Sequence, residues 1–163
     1  MIARPIARQT AATEATFTLA TPDDTARFAR VLGGNLATGD CVLLEGGLGA
    51  GKTTFARALI QSLLPTPEDV PSPTFTLVQT YETPGFEIWH CDLYRLGSAD
   101  ELIELGLEEA FETAVTLIEW PDRLGDWRPS TAATLRFGIA PDEARLLTLT
   151  GETAARLSQG WDA

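Results

Sequence analysis

The chain has 163 residues, 44% of them hydrophobic and 21% charged, with 12 Lys and Arg against 23 Asp and Glu for a formal net charge of −11. These values predict a single globular domain over residues 1–163, and they exclude a disordered chain and a broad basic face for direct nucleic-acid binding. No stretch approaches the roughly 20 apolar residues of a membrane-spanning helix, and residues 1–14 lack the apolar segment of a secretory signal, so a cytoplasmic protein with a flexible leader is expected.

Residues 15–20 alternate apolar and polar and predict a strand. Thr21, Pro22 and Asp24 then suit the cap, first position and capping-box acid of a helix. Phe28, Val31, Leu32 and Leu36 give that helix one apolar face, and Gly39-Asp40 ends it. Residues 42–44 form a short continuous apolar run, the mark of a buried parallel strand. Gly46-Gly47-Leu48-Gly49-Ala50-Gly51-Lys52-Thr53 follows at once. A helix is predicted over 52–64, with Phe55, Ala56, Leu59, Ile60 and Leu63 on its buried side and Pro65 as its stop.

Pro71-Ser72-Pro73 reads as a stiff linker. The runs 75–81 and 86–91 predict a hairpin closed by residues 82–85. Residues 98–113 predict one acidic helix capped by Ser98, with Leu102, Ile103, Leu105, Leu107 and Phe111 as its apolar positions. Residues 115–118 are a second short buried strand. Runs 133–139 and 145–149 predict another hairpin around Pro141-Asp142-Glu143. A short helix or tail is expected over 151–163. Cys41 and Cys91 fall in apolar strand segments and read as reduced core thiols, and two cysteines with one histidine argue against structural zinc.

Strand, glycine loop and helix in that order are the setting a phosphate-binding loop needs. Gly46, Gly47, Gly49 and Gly51 let the backbone curl and aim its N–H groups inward. The positive helix N-terminus faces the same anion. Lys52 adds a charge for the β- and γ-phosphates, and Thr53 a hydroxyl for Mg²⁺. Leu48, Ala50 and Thr54 complete the nucleotide-binding stretch. Glu119 ends a buried strand, where it is either the acid that completes the magnesium site or the first exposed residue of a loop. Asp92 ends another strand, with Arg95 three residues on. Either Asp92 orients the attacking water or binds metal through water while Arg95 stabilises transition-state charge, or the two form a surface ion pair. Thr74 is either a switch residue sensing the γ-phosphate or a turn cap. His90 reads as a partly buried strand histidine in preference to a catalyst. Trp120 suits either the core or a partner surface.

Four blocks in series resemble one family: residues 47–55, Ser72-Pro73-Thr74-Phe75-Thr76-Leu77-Val78, His90-Cys91-Asp92-Leu93-Tyr94-Arg95-Leu96, and Ile118-Glu119-Trp120-Pro121. They are similar to the TsaE (YjeE) family, bacterial ATPases required for threonylcarbamoyladenosine formation at position 37 of certain tRNAs, over about residues 21–149. The resemblance implies an α/β P-loop NTPase fold with a mixed, mainly parallel sheet flanked by helices. It implies that Thr53 and Glu119 meet Mg²⁺, that Asp92 is needed for hydrolysis, that Thr74 lies in a switch-like segment and that Thr25 lies near the nucleotide. It implies ATP as ligand, since the guanine-reading Asn-Lys-x-Asp motif is absent. TsaD and TsaB are the implied partners, with tRNA met only indirectly. A small-molecule kinase is a rival reading, but the chain offers no arginine-rich lid. A nucleotide-gated binding module that barely hydrolyses is the other.

Overall fold

A computed structural model describes residues 14–98 and 100–161. Its strands are β1 (Glu14–Leu19), β2 (Cys41–Glu45), β3 (Val78–Glu82), β4 (Glu87–Asp92), β5 (Val115–Glu119), β6 (Ala133–Ile139) and β7 (Arg145–Thr150). They form one sheet in the order β1-β7-β6-β2-β5-β4-β3. The central strands β6, β2, β5 and β4 run parallel. Antiparallel pairs close both margins, β1 and β6 on β7 at one side and β3 on β4 at the other. Both expected hairpins are present.

The helices are α1 (Pro22–Gly34), α2 (Lys52–Leu63), α3 (Asp100–Leu105), α4 (Leu107–Thr113) and α5 (Ala154–Leu157). Successive strand residues point to opposite faces, and β2 divides accordingly. Val42 and Leu44 join Phe28 and Leu32 of α1 and Phe55, Leu59 and Ile60 of α2. Cys41 and Leu43 join Leu102, Leu107 and Ala110 from α3 and α4, together with Cys91 and Ile118. Covered on both sides, β5 is buried along its whole length, which is why it reads as an unbroken apolar run. Thr21 caps α1 as expected, its Oγ1 accepting from Asp24 N at 3.1 Å, with Pro22 in the first turn.

Four elements differ from expectation. The third strand begins at Val78 rather than at residue 75. Residues 74–77 turn instead, Leu77 N donating to Pro73 O at 2.8 Å with Leu77 at φ +67°. The Thr74 hydroxyl lies within hydrogen-bond reach of both Ser72 and Asp92, which bends the segment out of strand geometry. The acidic helix is two helices broken at Gly106, whose φ of +80° a glycine adopts without strain. Among the described residues, the Ser98 hydroxyl makes no capping hydrogen bond. Glu101 Oε1 reaches back to accept from Gly97 N at 2.6 Å and Ser98 N at 3.1 Å. Glu14, expected in the leader, opens β1 opposite Thr150; the rest of the leader, residues 1–13, lies outside the described residues.

The C-terminal segment is a short docked helix. Leu157 of α5 is fully buried. The Trp161 ring meets Phe28 edge-on at 5.2 Å, and Arg156 forms a two-point ion pair with Asp40 at 2.8 and 3.1 Å. No described helix is long and apolar enough to cross a membrane.

Candidate functional site

In an open α/β sheet, ligands bind beyond the carboxyl ends of the parallel strands. Here those ends are Glu45 of β2, which enters the glycine loop, Glu119 of β5 and Asp92 of β4, the last two opposite each other in register. The loop depends on its glycines at specific places. Gly46 has φ +153°, and a Cβ there would stand 3.1 Å from both Cβ and O of Phe137. Gly51 has φ +106° and opens α2 with no side-chain cap, so the first N–H groups of the helix face the loop. Anions are favoured at such a terminus.

Lys52 is only 5% exposed. Its ammonium donates to Gly46 O and, at 3.0 Å, to Gly47 O. The Trp120 ring covers it at 3.9 Å from the centroid. Burial pulls the Lys52 pKa below its ordinary value, with the charges of Glu119, Asp92 and Asp122 opposing. Both strand-end carboxylates are buried. Glu119 Oε1 accepts the Thr53 hydroxyl at 2.8 Å, and its Oε2 lies 2.8 Å from His90 Nε2. Asp92 Oδ2 accepts from Thr74 Oγ1 at 3.3 Å and its Oδ1 from Tyr94 N at 3.0 Å. Ser72 completes the chain, its hydroxyl 2.7 Å from that of Thr74.

Lys52, Thr53, Thr74, Asp92, Glu119 and Trp120 line a cleft of about 410 Å³, with His90 and Ser72 behind its wall. It brings together Gly47, Leu48, Gly49, Ala50, Gly51, Lys52, Thr53, Thr54, Thr74, Asp92, Arg95 and Glu119. Thr25 is not in this cleft. It lies in an adjoining pocket of about 310 Å³ that shares Ala50, Gly51, Thr54 and Arg145 with the cleft and has Leu19, Ala58 and Phe137 in its wall. Gly46 offers its carbonyl to Lys52 and is not in the cleft wall. Arg95 lies 5.0 Å over the Phe75 ring, and among the described residues it makes no ion pair with Asp92.

Sequence reasoning missed the contact of Trp120 with Lys52, the Arg145 that borders both pockets, and the bond from His90 to Glu119. Trp120 carries the one local signal, standing directly after a strand-end acid. His90 reaches Glu119 across the β4–β5 pair and Arg145 borders the cleft from β7, so neither contact is visible in local spacing. No group of three or more His, Cys, Asp or Glu among the described residues could cage a metal. A hydroxyl and a carboxylate oxygen 2.8 Å apart fit a hard cation that takes its other ligands from phosphate and water, which is the habit of Mg²⁺.

A central parallel strand that feeds a glycine loop into a helix, at the carboxyl edge of a sheet covered on both faces, makes this a P-loop NTPase fold. The family model described as "Threonylcarbamoyl adenosine biosynthesis protein TsaE" matches residues 19–147, and the chain belongs to the TsaE family. Among its relatives, the tRNA threonylcarbamoyladenosine biosynthesis protein TsaE of Rickettsia bellii is 42% identical over 130 residues, 80% of this chain and 90% of the relative. The protein of the same description from Bacillus subtilis is 35% identical, over 79% of this chain and 80% of its own. The crystal structure of YdiB from Bacillus subtilis superposes with a TM-score of 0.72 at 25% identity, covering 88% of this chain and 90% of that one.

Proposed function

We propose that the chain binds ATP with Mg²⁺ and hydrolyses it to ADP and phosphate, as the energy-using component of the cytoplasmic machinery that forms N6-threonylcarbamoyladenosine at position 37 of tRNAs reading codons that begin with A. The observation that carries this reading is the Thr53 hydroxyl bonded to the Glu119 carboxylate beside Lys52. A loop that only bound an anion would gain nothing from a buried carboxylate next to its lysine, whereas a loop that binds an anion with a divalent cation needs one.

The loop N–H groups and the N-terminus of α2 hold the phosphates, and Lys52 turns its charge from the loop carbonyls to the β- and γ-oxygens. Thr53 and Glu119 would hold Mg²⁺, which would supply positive charge beside the phosphates. Asp92 orients the attacking water. Its own orientation is set by Thr74 Oγ1 and Tyr94 N, so Thr74 couples the phosphate end of the site to the 74–77 turn. Arg95, at the cleft wall, adds positive charge for the transition state. The pocket beside Thr25 receives the base. Adenine suits it better than guanine, because the chain has a single asparagine, Asn35, and so lacks the Asn-Lys-x-Asp motif that reads guanine.

The names of the relatives support the tRNA pathway. The partners are the TsaD and TsaB proteins, and the net charge of −11 favours reaching tRNA through them rather than directly. Phosphate release measured with the chain alone and with both partners tests the reading. Slow release alone and faster release in the complex are expected. Glu119→Gln keeps the shape of the side chain, should leave ATP binding largely intact and should slow turnover about a hundredfold. Turnover near wild type in that variant would remove Glu119 from the cation site.

A further inference from the structure

His90 is the single histidine of the chain. It stands on β4 two residues before Asp92, so the two side chains leave the same face of the strand. On β5 alongside, Leu117 lies opposite His90 and Glu119 opposite Asp92. The imidazole therefore reaches diagonally across the strand pair, placing Nε2 2.8 Å from Glu119 Oε2. The ring is fully buried and its Nδ1 has no hydrogen-bond partner among the described residues. A ring nitrogen with no acceptor in reach is a poor place for a proton, so the proton sits on Nε2 and is donated to Glu119. The other oxygen of that carboxylate takes the Thr53 hydroxyl. Glu119 is thus held at both oxygens, and it cannot swing away from Thr53 without breaking its bond to His90.

We propose that His90 is the positioning residue of the cation site: it locks Glu119 in the rotamer that keeps Oε1 at Thr53. This rests on the ATP and magnesium reading above. Groups that hydrogen-bond a metal-binding carboxylate orient it and raise its affinity for the metal. The competing account makes His90 an ordinary core residue. It explains the Nδ1 badly, since a leucine would fill an interior strand position without stranding a polar nitrogen. A buried imidazole in that place is explained by what its Nε2 holds.

The test compares wild type, His90→Leu and His90→Gln in calorimetric titrations with ATP, with and without Mg²⁺. The amide nitrogen of glutamine reaches about as far as imidazole Nε2 and also donates. In His90→Leu, ATP affinity without Mg²⁺ stays as in wild type, while the apparent Mg²⁺ affinity of the ATP complex falls by about tenfold or more. In His90→Gln most of it returns. Magnetic resonance of the untagged protein with ¹⁵N-labelled histidine reads one ring and no other, and it should report the proton on Nε2. This measurement needs no variant, so it and the glutamine variant decide the matter even if His90→Leu fails to fold. A wild-type Mg²⁺ dependence in His90→Leu, or a ring with no proton on Nε2, would overturn the proposal. A wild-type protein that binds ATP with no gain from Mg²⁺ would overturn the functional reading itself, and the role of His90 with it.

Discussion

Lys52 is the only lysine in the chain, and the fold buries it under an indole ring with its ammonium on two loop carbonyls. Neither contact needs an anion, yet both keep the charge at the mouth of the loop, where a phosphate would collect it. A hydrogen bond to a charged group contributes about 2–3 kcal/mol, so Lys52→Ala should weaken ATP binding by about a hundredfold. Titration with a fluorescent ATP analogue measures this, and unchanged affinity would take the loop out of the functional account. Lys52 and Thr53 are legible in the sequence because the loop motif is contiguous. Glu119 and Asp92 are legible because each ends a hydrophobic run. Thr25 was reached only through the family resemblance, and it lines the pocket next to the cleft that holds Lys52. His90 was not legible as more than a strand residue, since its partner is 29 positions away and only the pairing of β4 with β5 brings the two together.

At the scale of elements, the break at Gly106 and the turn at residues 74–77 carry the departures from sequence pattern. Leu102 and Leu107 are buried on the same face of the sheet, which one continuous helix or two short ones would satisfy, so periodicity alone cannot separate them. Gly106→Ala places a side chain at φ +80° with only Trp89 near its Cβ, at 3.7 Å. The expected cost is about 1–2 kcal/mol from backbone conformation rather than from collision. The variant should melt earlier and bind ATP as wild type does, because α3 and α4 cover the face opposite α2; a loss of ATP affinity would mean that the two faces are coupled. The 74–77 turn is different, since its Thr74 touches Asp92. ATP and ADP differ by one phosphate, and a partner can sense the difference only through groups near it. Binding to the TsaB–TsaD pair should be tighter with ATP than with ADP, by roughly 1–3 kcal/mol. Thr74→Val should shrink that gap while leaving ADP affinity nearly unchanged. Equal partner binding in ATP, in ADP and without nucleotide would end the switch idea and leave the ATPase reading standing.

Across the whole molecule, the two thiols at the centre of the sheet make stability sensitive to alkali. Both are free and buried. Burial pushes the Cys41 thiol from 9.0 up to about 12, and burial raises Cys91 as well. A thiol raised by folding favours the folded state fully below its unfolded pKa. That contribution is lost as pH climbs from about 9 toward 12, because the unfolded chain gives up its proton first. Between about pH 8 and about pH 10.5, Cys41 alone should cost about 2 kcal/mol. Urea unfolding at both pH values measures it, and Cys41→Ala should make the fall shallower by that amount while Cys91 keeps its own share; an equally steep fall in that variant would assign the loss elsewhere. Most of the strands, the two long helices, the glycine loop and the two strand-end acids can be read in the amino-acid sequence, because local periodicity and contiguous spacing encode them, whereas the break at Gly106 and the 74–77 turn cannot. The three-dimensional arrangement alone decided which strand lies beside which, and with that the pairing of Glu119 with His90, the cover of Trp120 over Lys52 and the place of Arg145 between two pockets. Those contacts join residues far apart in the chain. Their geometry comes from sheet order and register, which depend on burying both faces of the sheet at once, a condition that no single segment of sequence carries.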